Sequence, residues 1–288
     1  MSSPPFSRVD HLVIAVRDLA AAERDYATLL GRDASGRGAH PEFGTRNAVF
    51  NLANCYLELL ALDTPSPTHP VALGVAAALE RRPETVIAIA FGSDDLAATA
   101  GALRAAGVTT GPPVDVDVAE AGGGRRRARL LFLAETRDVN VFAIEHDRSV
   151  IPPAPARGPE GTTATAVDHV VIFTDDLDGA LRLWRDAFAI PERWRRDFPD
   201  RGTVNVGLRL GGVTLELVAP LGNTAGEHGE RLWGLAYAVG DCDGAVERLR
   251  SAGVPVSDAR SGLAPATRVA TVKRPDGVPT LVIQHTNR

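Results

Sequence analysis

Two kinds of side chain in this sequence have the type and spacing to do chemistry together. They are a histidine inside a short aliphatic run and a glutamate at the centre of a later one. His11 lies in Val9-Asp10-His11-Leu12-Val13-Ile14-Ala15-Val16, and Glu58 lies in Tyr56-Leu57-Glu58-Leu59-Leu60. Both recur, as His169 in Val167-Asp168-His169-Val170-Val171-Ile172-Phe173 and Glu216 in Thr214-Leu215-Glu216-Leu217-Val218, shifted by 158 positions in each case (169 − 11 and 216 − 58). Imidazole and carboxylate groups are costly to bury alone. Their duplication in register therefore points to a shared site geometry, in which a nitrogen and an oxygen donor hold a ligand or move a proton. A strand alternates its faces, so His11, Val13 and Ala15 share one side and Leu12, Ile14 and Val16 the other. The aliphatic side suits packing under a helix, and the histidine side looks into whatever the sheet curves around.

The elements that must position these groups repeat as well. After the first run, Asp18 suits an N-cap, a helix is expected over Leu19 to Leu30, and Gly31 ends it. A glycine-rich loop leads to His40-Pro41, followed by strands over Thr45–Leu52 and Cys55–Leu62. Thr64 to Pro70 is a proline-rich connector, and Val71–Arg82 reads as an additional helix stopped by Pro83. A second unit follows: a strand at Val86–Phe91, a helix capped at Asp94-Asp95 and closed by Gly107, and strands near Val114–Val118, Ala128–Ala134 and Val139–Glu145. Residues 151–161 are rich in Pro and Gly and read as a linker. The second half repeats the plan. Leu249-Arg250-Ser251-Ala252-Gly253-Val254 echoes Leu103-Arg104-Ala105-Ala106-Gly107-Val108, at a shift of 146 (253 − 107). The expected organisation is α+β, with four β-α-β-β-β units in two halves at 8–147 and 166–287, joined by a linker at 148–165. Whether units pair within a half or across a dimer is left open.

The chain has 288 residues, 44% hydrophobic and 23% charged, with a formal net charge of −5. That balance argues against a nucleic-acid surface, which needs a basic face. The run Arg125-Arg126-Arg127, after Gly122-Gly123-Gly124, reads as a solvated hairpin tip. Cys55 and Cys242 are too far apart for a zinc motif and read as free thiols, and no apolar run has the length of a signal core or membrane span. A cytoplasmic protein is expected, monomer or homodimer, with a small-molecule substrate and neither nucleic acid nor membrane as partner.

The Asp-His-aliphatic opening, the Leu-Glu-Leu strand and the stretch His40-Pro41-x-x-Gly44-Thr45-x-Asn47 resemble the vicinal oxygen chelate superfamily. This is the glyoxalase, bleomycin-resistance and extradiol-dioxygenase group, and the resemblance is nearest its glyoxalase-like domain branch. It implies two tandem domains, each an eight-stranded cup with a metal held by first and last strands. By position it assigns His11 and Glu58, and in the other half His169 and Glu216, as metal ligands. It adds Glu145 as a further ligand or catalytic base, with Gln284 its counterpart; His146 and His285 are the alternatives at those strand ends. A departure accompanies this. The first strand of the second unit, Thr85 to Phe91, offers no ligand, nor does Trp233 to Tyr237.

One imidazole and two carboxylates suit Fe(II), Mn(II), Zn(II), Co(II) or Ni(II), one ion per chain, acting as a Lewis acid on a substrate that chelates through neighbouring oxygens. The expected function is a metal-dependent isomerase, lyase, ring opener or dioxygenase on a small oxygenated molecule. The alternative is a metal-free ligand-binding or drug-sequestering protein of the same fold. The first half is the expected active one. His40 suits a loop cap or a pocket wall, and Asn47 suits substrate binding or a strand-edge hydrogen bond. His69 and His228 read as solvated. Trp184 and Trp194 read as core, and Trp233 as lining the second cup.

Overall fold

The computed structural model describes residues 4–120, 125–147, 152–222 and 229–286. Gly122 to Gly124 and His228 fall outside them. The first half begins with β1 (Arg8–Val16), whose aliphatic face is buried and whose end runs into α1 (Leu19–Leu30). Asp18 caps that helix by accepting from the Ala21 amide at 3.0 Å, and Gly31 ends it in the left-handed region, where a side chain would be strained. The glycine-rich segment expected as a loop is a strand, β2 (Gly36–His40), antiparallel to β3 (Thr45–Asn51); β4 (Tyr56–Leu62) completes the unit. The additional helix α2 (Pro70–Arg81) follows, with Pro70 in its first turn. The second unit is β5 (Glu84–Gly92), α3 (Leu96–Ala105), β6 (Val114–Glu120), β7 (Arg125–Phe132) and β8 (Asn140–His146).

Units pair within the half. β1 lies parallel to β4 and antiparallel to β5, and β5 lies parallel to β8. β2 meets β6 at Gly38↔Glu120 and Ala39↔Ala119, which closes an eight-stranded barrel. Val75 and Leu79 of α2 pack with Val13, Ala15, Leu60 and Ala88 and stopper one side of its interior.

The second half has the same order: β9 (Ala166–Phe173), α4 (Leu177–Leu181) running on into a π-helical turn Arg182–Ala187, β10 (Glu192–Phe198), β11 (Thr203–Leu210), β12 (Val213–Pro220), β13 (Arg231–Ala238), α5 (Cys242–Ser251), β14 (Arg260–Ser261), β15 (Thr267–Val272) and β16 (Thr280–His285). Its sheet, β10-β11-β12-β9-β13-β16-β15-β14, stays open. β14 is only two residues long, and β10 presents the exposed side chains of Arg193, Arg195 and Arg196 along a free edge, a charge pattern that discourages further pairing.

One apolar core lies between the two sheets and takes in the buried faces of α1, α3, α4 and α5. Two carboxylate clasps bind the halves across it. Glu84 of β5 accepts from the Tyr26 hydroxyl (2.9 Å), the Val278 amide (2.9 Å) and both terminal nitrogens of Arg274 (2.9 and 2.7 Å). Glu230, just before β13, accepts from the Trp184 indole and from Arg137. Tyr26 and Trp184 stand 158 positions apart (184 − 26), and Glu84 and Glu230 stand 146 apart (230 − 84), the same shifts that relate the repeats. Each half thus supplies an arginine to the other's glutamate. Among the described residues no helix is long and apolar enough to cross a membrane.

Candidate functional site

The strand alternation that buries Leu12 and Ile14 under helices turns His11 into the barrel, where it is 3% exposed. A register shift between Val9 and His11 lets the neighbouring Asp10 stay buried beside it. Asp10 Oδ1 holds His11 Nδ1 at 2.9 Å and His146 Nε2 at 3.0 Å. Burial alone would raise the Asp10 carboxyl, but the two imidazoles outweigh it and hold that group well below the usual carboxylate range. With Nδ1 committed to Asp10, His11 Nε2 faces the cavity and lies 3.6 Å from Glu58 Oε2. The parallel register Val13↔Glu58 brings the glutamate to that depth.

Glu58 is fixed by the Asn47 amide nitrogen, which donates to Oε1 at 2.5 Å, and His40 Nε2 stands 4.0 Å from the same oxygen. His40 Nδ1 pairs with Thr45 Oγ1 at 3.2 Å, so His40 is both strand end and cavity wall. Asn47 Oδ1 is buried with no hydrogen-bond partner. The His11 ring stacks on Tyr56 with centroids 4.4 Å apart and meets the edge of Phe142 at 5.4 Å. Burial first, then the Asp10 and Glu58 charges, push the Tyr56 hydroxyl well above its ordinary range, so it stays neutral. These groups occupy one end of a cavity of ≈ 320 Å³, and Leu60, Val71, Val75, Ala88 and Ile144 line the rest.

Two expected ligands are elsewhere. Glu145 is on the outer face of β8: its Oε2 accepts from the Leu96 amide at the start of α3 (2.8 Å), and Arg129 lies 3.5 Å from its other oxygen. Gln284 does the same for α5, accepting from the Cys242 amide at 3.0 Å. Neighbours on a strand point oppositely, so it is Phe142, Ile144 and His146 that turn inward. His69 is not simply solvated. It caps α2, accepting from the Val71 amide at 3.2 Å, and stacks on Phe43 at 4.8 Å.

The second half repeats the polar cluster on its open sheet. Asp168 holds His169 Nδ1 at 2.8 Å and His285 Nε2 at 2.6 Å, Glu216 Oε2 lies 3.5 Å from His169 Nε2, and Asn205 donates to Glu216 at 2.7 Å. Burial raises and the two imidazoles lower the Asp168 carboxyl, with a net fall to about 2. His169 is raised: burial opposes its charge, but Asp168 and Glu216 prevail. The His169 side chain is 18% exposed where that of His11 is 3%. Trp184 is core, but Trp194 is exposed and lies across Gly207, whose missing Cβ leaves room for its indole. Trp233 is exposed too and meets Phe173 edge-on at 5.3 Å.

A divalent ion fits this donor set poorly. Among the described residues no three His, Cys, Asp or Glu side chains are disposed to share an ion. His11 and Glu58 supply one nitrogen and one carboxylate. Ala90 and Phe142, paired across β5 and β8 in the way Val13 and Glu58 are paired across β1 and β4, put hydrocarbon in the other half of the barrel.

The Asp10 and Asp168 orienters were not assigned by sequence reasoning, although the repeated Asp-His dipeptide was their signal. The glyoxalase-like domain family matches residues 9–166, and the glyoxalase/bleomycin resistance protein/dioxygenase superfamily matches residues 168–271. A triple mutant of 4-hydroxymandelate synthase from Streptomyces coelicolor is 18% identical, with 98% of this chain and 93% of that one covered and a TM-score of 0.70. A hypothetical protein from Staphylococcus aureus is 11% identical, covering 96% and 98%, with a TM-score of 0.64. These two share the fold over nearly the whole length. Methylmalonyl-CoA epimerase from Mycobacterium tuberculosis is 28% identical over 42% of this chain and 88% of its own, with a TM-score of 0.37. No curated protein matches the sequence.

Proposed function

Because this chain belongs to the glyoxalase-like domain family of the vicinal oxygen chelate superfamily, we propose that it is an enzyme of isomerase or lyase type that moves a proton on a small oxygenated organic molecule in its N-terminal cup. The observation that carries this is the Asp10–His11 dyad, whose free Nε2 faces a largely apolar cavity 3.6 Å from Glu58. A carboxylate on Nδ1 fixes the tautomer that leaves Nε2 as base and steadies the imidazolium formed when it takes a proton. Glu58, oriented by Asn47, stabilises that imidazolium, and His11 returns the proton to the same or a neighbouring atom. Burial strengthens each of these interactions. His40 and Asn47, beside Glu58 at the same end of the cavity, hold the substrate's polar head.

Fe(II), Mn(II), Zn(II), Co(II) and Ni(II) take no part in this proton transfer, because among the described residues no three His, Cys, Asp or Glu side chains are disposed to complete a coordination sphere. The test is solvent deuterium exchange into the carbon next to the carbonyl of 2-hydroxyacetophenone, followed by NMR. Exchange is expected with the wild type, with or without a chelator, and is expected to be lost in His11→Ala. Exchange abolished by the chelator and restored by one of those ions would return the reaction to metal chemistry. Stoichiometric binding without exchange across a panel of ketones would make the cup a sequestering site instead.

A further inference from the structure

We propose that the N-terminal cup selects an uncharged molecule made of one apolar ring or short chain and a hydroxyl-bearing head, and that Gly74 of α2 is the residue that leaves room for the apolar part. This rests on the proton-transfer reading of the same cavity. Three atoms at the polar end ask for hydrogen-bond donors. Asn47 Oδ1 is buried without a partner, Glu58 carries a carboxylate, and His11 Nε2 is the acceptor once Nδ1 is committed to Asp10. A carboxylate or phosphate head has no proton to give any of them, and bringing one against Glu58 would place like charges together in a poorly solvated site. Of the two arginines that line the cavity, Arg127 is mostly exposed and lies 3.9 Å from Asp117, and Arg126, half-buried near Tyr56, is not free.

The remainder of the cavity is mostly hydrocarbon. Its volume of ≈ 320 Å³ sits at the low end of the roughly 300–1,000 Å³ of ligand pockets, room for a single ring with a short substituent. One wall is the face of α2 formed by Pro70, Val71, Gly74 and Val75. A Cβ added at Gly74 meets nothing within 4 Å, although glycine is a poor helix former. Gly74 both lines the cavity and is exposed, so a bulky side chain there would stand across the cavity's opening.

Isothermal titration with four probes tests this. 2-Phenylethanol should bind one to one, while 3-phenylpropionate (ring and anion) and ethylene glycol (hydroxyls, no ring) should bind at least tenfold more weakly; propylbenzene should do likewise for want of a donor. Gly74→Leu should weaken 2-phenylethanol at least tenfold with the melting temperature unchanged or raised, and Gly74→Ala should keep most of the binding. Val71→Phe, on the same face, is the second variant should Gly74→Leu fail to fold. The proposal is overturned if 3-phenylpropionate binds as tightly as the alcohol, if both bulky variants bind like the wild type, or if no probe binds. Binding of 2-phenylethanol without deuterium exchange on any ketone removes the catalytic reading and leaves the ligand class standing; exchange on phenylpyruvate faster than on 2-hydroxyacetophenone removes the ligand class and leaves catalysis standing.

Discussion

At the scale of residues, the working unit is a carboxylate that serves two imidazoles. Asp10 fixes His11 in one tautomer and ties it to His146 at the end of β8. His11→Ala should lower the exchange rate by about 10²–10⁴-fold, the usual worth of a positioned base. Asp10→Asn keeps the shape but can present an amide N–H to an imidazole, so it should slow exchange while leaving binding of 2-phenylethanol measurable by calorimetry. The companion cluster makes a pH prediction. Asp168 is depressed to about 2, so its stabilisation is complete above about pH 4, where the unfolded group ionises, and is lost as pH falls towards 2. His169 is raised, so its contribution is complete below about pH 6.5 and fades as pH rises through its higher folded value. Urea denaturation of the wild type and Asp168→Asn from pH 2.5 to 9 should show the gap between them narrowing at the acid end; a gap independent of pH would refute the assignment. The facing of His11, Glu58, His169 and Glu216 was legible because alternation in an aliphatic run is a strong signal. Glu145 and Gln284 were not, since a one-residue error in register at a strand end reverses every side chain.

At the scale of elements, Glu145 belongs to a helix. It receives the first free amide of α3, as Gln284 receives that of α5, and helix N-termini favour such acceptors. Glu145→Ala should therefore cost about 1 kcal/mol of stability with exchange activity unchanged, measured by denaturation and NMR side by side. α2 is the element that makes the barrel a container. Leu79→Ala, beneath its last turn, should destabilise by about 2–5 kcal/mol. The helices and most strands follow from capping residues and periodicity. β2 escaped because Gly36-Arg37-Gly38 has a loop's composition and is held in the sheet by β3 on one side and β6 on the other. That same pairing separates the closed half from the open one, and no local pattern in the sequence encodes it.

At the scale of the whole molecule, the repeat was legible from spacing alone, and pairing within each half was not, because it depends on contacts between distant strands. What binds the halves is the shared core with its two crossed clasps. Glu84→Gln leaves Arg274 buried without its counter-charge and should cost about 3–5 kcal/mol, and Glu230→Gln should behave alike through Arg137. A double variant should unfold in two steps by calorimetry where the wild type unfolds in one.

The crossing of those clasps has a historical corollary. An arginine lent each way, with an aromatic donor at matching offsets on both sides, is what a pair of identical short polypeptides would build around a twofold axis before their genes fused. A polypeptide severed in the proline-rich segment after His146 should then recover its partner when both pieces are produced in one cell, and the reunited pair should migrate as a single species of the original mass.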